Sequence, residues 1–222
     1  MGAAIDFVEK DIGSLVDRYG HPVLQYAEGQ SGLDVLDVGC NDSVGIPFIF
    51  GKHQGRNNVT QIDSEDSAIQ ILKHKYAALG WDISAVLHGS YPTHATQNGN
   101  KFDLMVFSAV GKLTYGFFDV IFSSEDLIKS TKRLLKPNGK LLVADAGMGT
   151  PSKYFDPDIC RNEEVMEANR RLRGIMQAGL YPNLDLPIDY EGNCATVGRM
   201  KSSGFRLDTL LGPWAVVIKK SY

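Results

Sequence analysis

Leu33-Asp34-Val35-Leu36-Asp37-Val38-Gly39-Cys40-Asn41-Asp42-Ser43 is an apolar run that ends in a small, polar turn. Roughly twenty residues further on, Val59-Thr60-Gln61-Ile62-Asp63 is a second short apolar run, ending in a lone acid. A nucleoside-binding α/β sheet needs this pair at this separation. The turn lets a ligand approach the backbone, and the acid accepts hydrogen bonds from ribose hydroxyls.

Strands and helices alternate outward from this pair. Upstream, Ile5, Val8, Ile12, Leu15, Val16 and Tyr19 recur at helical spacing, so residues 4–19 read as an amphipathic helix ended by Gly20 and Pro22, with a shorter helical piece over 23–27. Residues 33–39 and 59–63 are the first two strands, and 44–53 a helix with Pro47 in its first turn. Ser64 offers an N-cap to a helix whose face is Ala68, Ile69, Leu72, Tyr76 and Leu79 and whose stop is Gly80. Residues 83–87 make a third strand, 90–100 a polar loop, 102–109 a fourth strand. Ser123 and Asp126 suit a capping arrangement ahead of a helix with Leu127, Ile128, Leu134 and Leu135 as its buried stripe. Pro137-Asn138-Gly139 turns into a fifth strand over 140–144. Five such alternations imply a doubly wound parallel sheet. After a helix over 193–203, closed by Gly204, residues 205–211 and 214–218 are joined by so short a Gly212-Pro213 turn that they must be antiparallel.

The order resembles that of the class I S-adenosylmethionine-dependent methyltransferases, over residues 30–145 and 193–220. "LDVLDVGCNDS" is similar to that family's first motif, "VTQID" to its second, "KFDLMVFSAV" to its fourth strand, "LLKPNGKLLVADAG" to the turn and strand after the site, and "MKSSGFRLDTLL" to its last helix and strand. The resemblance implies a seven-stranded, mostly parallel Rossmann-like sheet with an antiparallel C-terminal strand and helices on both faces. It makes the chain one methyltransferase-like domain over 1–222, with an N-terminal helical cap over 1–29 and a lid or substrate insertion over 147–192. It also implies S-adenosyl-L-methionine as cofactor. Asn41 and Ser43 stand where the family usually has further glycines, and His88-Gly89-Ser90 where it often has an acid for the adenine amino group.

Carried over residue by residue, the resemblance assigns cofactor contacts to Tyr19, Asp37, Gly39, Cys40, Asn41, Asp63, Ser64, Gly89, Ser90 and Ser108. Each has a plainer reading. Asp37 can cap its own turn, Asp63 can serve the dipole of the next helix, Tyr19 can be a half-buried helix end, and Ser108 can simply pack tightly. Methyl transfer is an in-line displacement that needs alignment, a desolvated pocket and, for a hydroxyl nucleophile, proton removal. The candidate bases are His88, at the ligand edge, and Asp145, at the end of the fifth strand. His53 and His74 fall on helices and read as solvated, and His94 shares the loop with His88. Strand four ends in Ser108-Ala109 and no Asp-Asn pair follows strand five, so no metal is expected. In the insertion, Tyr154, Phe155, Tyr181 and Tyr190 lie among prolines, with a helix over 163–179; Arg170, Arg171 and Arg173 read as a solvated face.

Composition narrows the function. A net charge of −3 over 222 residues gives no electrostatic reason for a nucleic-acid partner. Ser108-Ala109-Val110-Gly111 stands where nucleic-acid amino methyltransferases carry Asn/Asp-Pro-Pro-aromatic. The acceptor class expected is therefore a small molecule, methylated on oxygen, nitrogen or carbon, and a homodimer is left open. Three scattered cysteines without a CxxC fit a reducing, cytoplasmic compartment. No apolar run reaches the roughly 20 residues that span a bilayer, and the acids among residues 1–10 do not suit a secretory signal. The competing readings are a nicotinamide oxidoreductase, which calls for the G-x-G-x-x-G lacking here, and a protein of this fold that binds the cofactor but catalyses another reaction or serves as a binding or regulatory module.

Overall fold

The computed structural model describes residues 2–19, 21–97, 99–109, 121–122, 124–145, 197–211 and 215–221. The elements in chain order are α1 (Gly2–Tyr19), α2 (His21–Glu28), β1 (Asp34–Val38), α3 (Gly45–Ile49), β2 (Asn58–Asp63), α4 (Asp66–Ala78), β3 (Val86–His88), α5 (Thr93–Gln97), β4 (Phe102–Ala109), α6 (Glu125–Leu134), β5 (Leu135–Asp145), β6 (Phe205–Leu210) and β7 (Ala215–Lys220). Residues 197–202 are helical as well.

The strands form one seven-stranded sheet in the order β3-β2-β1-β4-β5-β7-β6. The first five are parallel, and β7 runs antiparallel between β5 and β6. Strands covered on both faces read as continuous apolar runs, and β1 buries its last four residues in succession. Alternation sends Leu36 and Val38 to one face, where they pack with Ile62, Met105, Phe107 and Val143 under Ala95 of α5, Ile128 and Leu134 of α6, and Val197 and Met200. Val35, Val59, Leu104 and Val106 point the other way, against Val23 and Ala27 of α2 and Ile46 and Ile49 of α3. Val8 of α1 and Ile69, Leu72 and Tyr76 of α4 extend that layer. Each such large side chain, fully withdrawn from water, contributes about 1.5–3 kcal/mol.

Several local expectations give way to tertiary detail. The helix expected over 44–53 breaks after Ile49. Gly51 adopts φ 70°, and a Cβ there would lie 2.2 Å from Nε of Arg56, so Lys52–Gln54 continues only as a 3-10 turn. The strand expected over 83–87 is a 3-10 turn at Ile83–Ala85 followed by β3. The loop expected over 90–100 contains α5. Ser64 does not cap α4: the N-cap position is Glu65, whose amide donates to Asp63 Oδ1 at 2.9 Å. The cap of α6 is Ser124, whose Oγ accepts the Leu127 amide at 3.1 Å, and Thr131 rather than Leu127 is buried on that helix. Pro137-Asn138-Gly139 lies within β5 as an irregularity: the register steps from Phe102↔Leu135 to Leu104↔Lys140, and Asn138 takes φ 63°. The terminal hairpin forms as expected. Residues 147–192, including the helix read over 163–179, lie outside the described residues, as does the Gly212-Pro213 turn.

Candidate functional site

Parallel register brings the carboxyl ends of five strands to one edge. Val38 pairs with Ile62 and Phe107, Asp63 with His88, and Ala109 with Asp145. The chain leaves β1 toward β2 on one side and returns to β4 on the other, and the crevice at that reversal is where open α/β sheets bind ligands.

The turn after β1 is built on two left-handed residues, Gly39 at φ 72° and Asn41 at φ 51°. Asparagine is among the few side-chain-bearing residues that adopt this region readily, so Asn41 serves where a glycine is usual. Asp63 holds it there: Oδ2 accepts the Asn41 amide at 2.8 Å, while Oδ1 accepts that of Glu65. Each carboxylate oxygen keeps a further lone pair, and Asp63 is half-buried, so acceptor capacity remains for hydroxyl donors.

Most amides of the turn are consumed internally. Gly39 and Cys40 donate to Ile62, Ser43 to Cys40, Val44 to Asp11 Oδ2 and Gly45 to Ser43 Oγ. A cradle for a pyrophosphate works through free backbone N–H groups; most of those in this turn are already bonded within the protein. Asp37 lies beneath it, only 2% exposed, with Oδ2 accepting from Gln61 Nε2 at 2.7 Å and Oδ1 buried with no partner. Burial pushes the Asp37 carboxyl up to about 7 against the opposing pull of the Gln61 hydrogen bond, and Asp63 adds to the rise. Burial, with Asp37 and Asp63 nearby, likewise raises the Cys40 thiol well above its ordinary range.

Gln61 donates a second bond from the same nitrogen, to the Ser43 carbonyl at 2.9 Å, and its Oε1 accepts Tyr76 OH at 2.8 Å. From outside, Lys75 Nζ reaches the Asp42 carbonyl at 2.6 Å, Asp42 Oδ2 at 3.2 Å and Asp11 Oδ2 at 3.3 Å. Asp11 thereby fastens α1 to the turn. Ser43 belongs to the turn legible in sequence, but none of Asp11, Gln61, Lys75 and Tyr76 stands out there as part of a site. The one available signal was Gln61, a polar side chain inside a strand that must be covered on both faces.

At the end of β3, His88 is 48% exposed; Nε2 lies 3.2 Å from the Ser64 carbonyl and Nδ1 3.6 Å from Asp66 Oδ1. Gly89 is buried at φ 153°, tied to β2 through its amide and the Asp63 carbonyl at 2.8 Å. Its missing Cβ makes room for the His94 ring, which would lie 2.2 Å from it, and His94 Nδ1 accepts the Ser90 amide at 3.1 Å. Tyr91 packs edge-on to Phe107 and hydrogen-bonds Thr131. Ser108 is buried near the end of β4, and Asp145 closes β5. Tyr19 closes α1. His53 stacks on Phe48, and His74 Nδ1 lies 2.7 Å from the Gln70 carbonyl, both away from this edge. Among the described residues no three His, Cys, Asp or Glu side chains converge as metal ligands.

A seven-stranded sheet of this order, its last strands antiparallel, is that of the class I S-adenosylmethionine-dependent methyltransferases. The chain belongs to the methyltransferase-domain family, whose model matches residues 29–185. It is similar in structure to a Corynebacterium glutamicum protein (15% identity, TM-score 0.57, 99% of this chain and 90% of that one). It is similar also to a methyltransferase from Pyrococcus furiosus (11%, 0.50, all of both chains). TrmN from Thermus thermophilus matches at 16% identity and TM-score 0.51 over 89% of this chain, which spans about half (47%) of that protein. No curated protein matches in sequence.

The cofactor is S-adenosylmethionine, and the residues present fit it: a ligand carrying a sulfonium and an ammonium suits carbonyls and carboxylates, and Asp63 keeps acceptor capacity for its ribose. Bound, it supplies an electrophilic methyl group. No described helix is long and apolar enough to cross a membrane.

Proposed function

We propose that the chain methylates a small-molecule acceptor, with the cofactor gripped by the residues between the ends of β1, β2 and β3. The observation that carries the placement is the Asp63–Asn41 bond beside a turn most of whose amides are spent. In this reading Asp63 takes the ribose hydroxyls, with Ser64 beside it. Gly39, Cys40 and Asn41 line the methionine side above Asp37. Gly89 and Ser90 border the base, Ser108 lies beneath the methyl, and Tyr19 covers the cofactor.

The acceptor approaches over the ends of β4 and β5. Asp145, at the end of β5 opposite Ala109, is one of the two candidate bases. Both ring nitrogens of His88 face oxygen acceptors, Ser64 and Asp66, an arrangement that suits a donor more than a base. A small-molecule acceptor is supported by the −3 net charge, which offers no counter-charge to a phosphate backbone, and by Ser108-Ala109 after β4 in place of Asn/Asp-Pro-Pro. The cytoplasm is the compartment in keeping with the scattered cysteines.

Incubation with methyl-labelled S-adenosylmethionine tests this. Label appearing in a panel of small hydroxylated and amino compounds supports the reading. Label appearing only in RNA, DNA or protein overturns the acceptor class, and calorimetry showing NAD bound in place of S-adenosylhomocysteine overturns the site.

A further inference from the structure

We propose that Gln61 is a positioning residue for the cofactor: its buried amide ties Ser43 back to β1 and so sets the shape of the turn from Gly39 to Ser43. The inference rests on the reading that this turn grips the cofactor.

Gln61 is 0% exposed, and so is Tyr76. Both hydrogens of the Gln61 amide are used, one by Asp37 Oδ2 at 2.7 Å and one by the Ser43 carbonyl at 2.9 Å. Its oxygen is used by Tyr76 OH at 2.8 Å. The orientation is set from every side, because turning the amide over would place its oxygen against a carboxylate and a carbonyl and its NH2 against the Tyr76 hydroxyl. Three elements therefore meet on one side chain: β1 through Asp37, the turn through Ser43, and α4 through Tyr76.

Packing alone does not account for a glutamine here. Val59 on the same face of β2 is apolar, and a buried amide is tolerated only when hydrogen-bonded. The tie does what an apolar residue cannot, since it holds the far end of the turn at a fixed distance from the strand the turn leaves. The turn is clamped at three successive residues, by Asp63 at Asn41, by Lys75 at Asp42 and by Gln61 at Ser43. The Gln61 and Lys75 ties are partly buried and the Asp63 tie is exposed, and of the three side chains Gln61 is the one fully withdrawn from solvent. Gln61 also binds the same carboxyl group whose other oxygen is unpaired, so it decides which oxygen of Asp37 is left toward a ligand.

The test uses the full chain and S-adenosylhomocysteine as the probe, with Gln61→Leu, Gln61→Glu, Tyr76→Phe and, as a control for the site itself, Asp63→Ala. Gln61→Leu keeps the volume and removes the tie; its Kd should rise about 10–100-fold while the unliganded protein still melts cooperatively. Gln61→Glu can donate only while protonated. Its affinity relative to wild type should fall as the pH is raised from about 5 to about 8, a profile that a space-filling role does not produce. Tyr76→Phe should weaken binding less than Gln61→Leu. A folded Gln61→Leu protein that binds within about twofold of wild type overturns the proposal. So does a Gln61→Glu profile parallel to wild type, which decides the matter if Gln61→Leu fails to fold. Unchanged affinity in Asp63→Ala sinks the assigned crevice itself; weakened Asp63→Ala beside unaffected Gln61 variants sinks this inference alone.

Discussion

Asp63 Oδ2 accepts the backbone amide of Asn41 at 2.8 Å, so the acid at the end of β2 and the left-handed apex of the turn after β1, 22 residues apart, form one unit. The residue proposed to bind the ribose also shapes the turn proposed to bind the rest of the cofactor.

Asp63→Ala should therefore do more than remove a ribose contact. Losing hydrogen bonds to a charged acceptor is expected to weaken S-adenosylhomocysteine binding by about 1–3 kcal/mol. Asp63→Asn, which keeps one acceptor oxygen, should fall between the variant and wild type in titration calorimetry.

Asp37 makes stability depend on pH. Its carboxyl has an ordinary value of 3.8 and sits at about 7 in the folded protein. The folded state thus binds more protons than the unfolded one across that interval. The contribution is fully present below pH 3.8, declines as pH rises toward 7, and is then gone. The loss is on the order of 4 kcal/mol. Urea unfolding followed from acid to mildly alkaline pH should show this slope in wild type and a shallower one in Asp37→Asn; equal slopes would refute the assignment.

Asp11 joins α1 to the turn through the Val44 amide at 2.9 Å and Lys75 at 3.3 Å, both side chains of the ion pair being 14% exposed. Asp11→Ala leaves that amide without its partner and should cost about 1–3 kcal/mol. Hydrogen exchange should speed up in both α1 and residues 41–44. Acceleration in α1 alone would show that the helix frays without engaging the turn.

Gly89→Ala should be damaging out of proportion to its size. The backbone is at φ 153° and the new Cβ would lie 2.2 Å from Cγ of His94, so the ring must leave and the Ser90 amide loses its acceptor. A destabilisation of about 1–3 kcal/mol is expected, together with weaker cofactor binding. His94→Ala in the same background should recover part of the stability by removing the clash.

His88→Ala separates the two candidate bases. A fall in turnover of about 10²–10⁴-fold would make His88 the base; a rate near wild type, with the loss appearing in Asp145→Asn instead, is the outcome its Ser64 and Asp66 contacts favour.

The alternation of apolar runs and turns, the continuous apolar character of β1 and the short terminal hairpin are local properties. They determined the sheet, the parallel order of its first five strands and the place of Asp37, Gly39 and Asp63 at its edge, because burial on both faces leaves such runs no other way to shed water. Element ends were less legible. Ser64 looks like a cap and is displaced by Asp63 bonding Glu65, and the helix over 44–53 is cut short at Gly51, whose φ of 70° lies outside a right-handed helix.

What only the tertiary structure decided is the partnership of Gln61 with Asp37, Ser43 and Tyr76, and of Asp11 and Lys75 with the turn. Tyr76 carries the same periodic signal as any core residue on α4, and Asp11 the same as any polar one on α1. A hydrogen bond depends on distances of a few tenths of an ångström between elements far apart in the chain, and hydrophobic period carries no information at that scale.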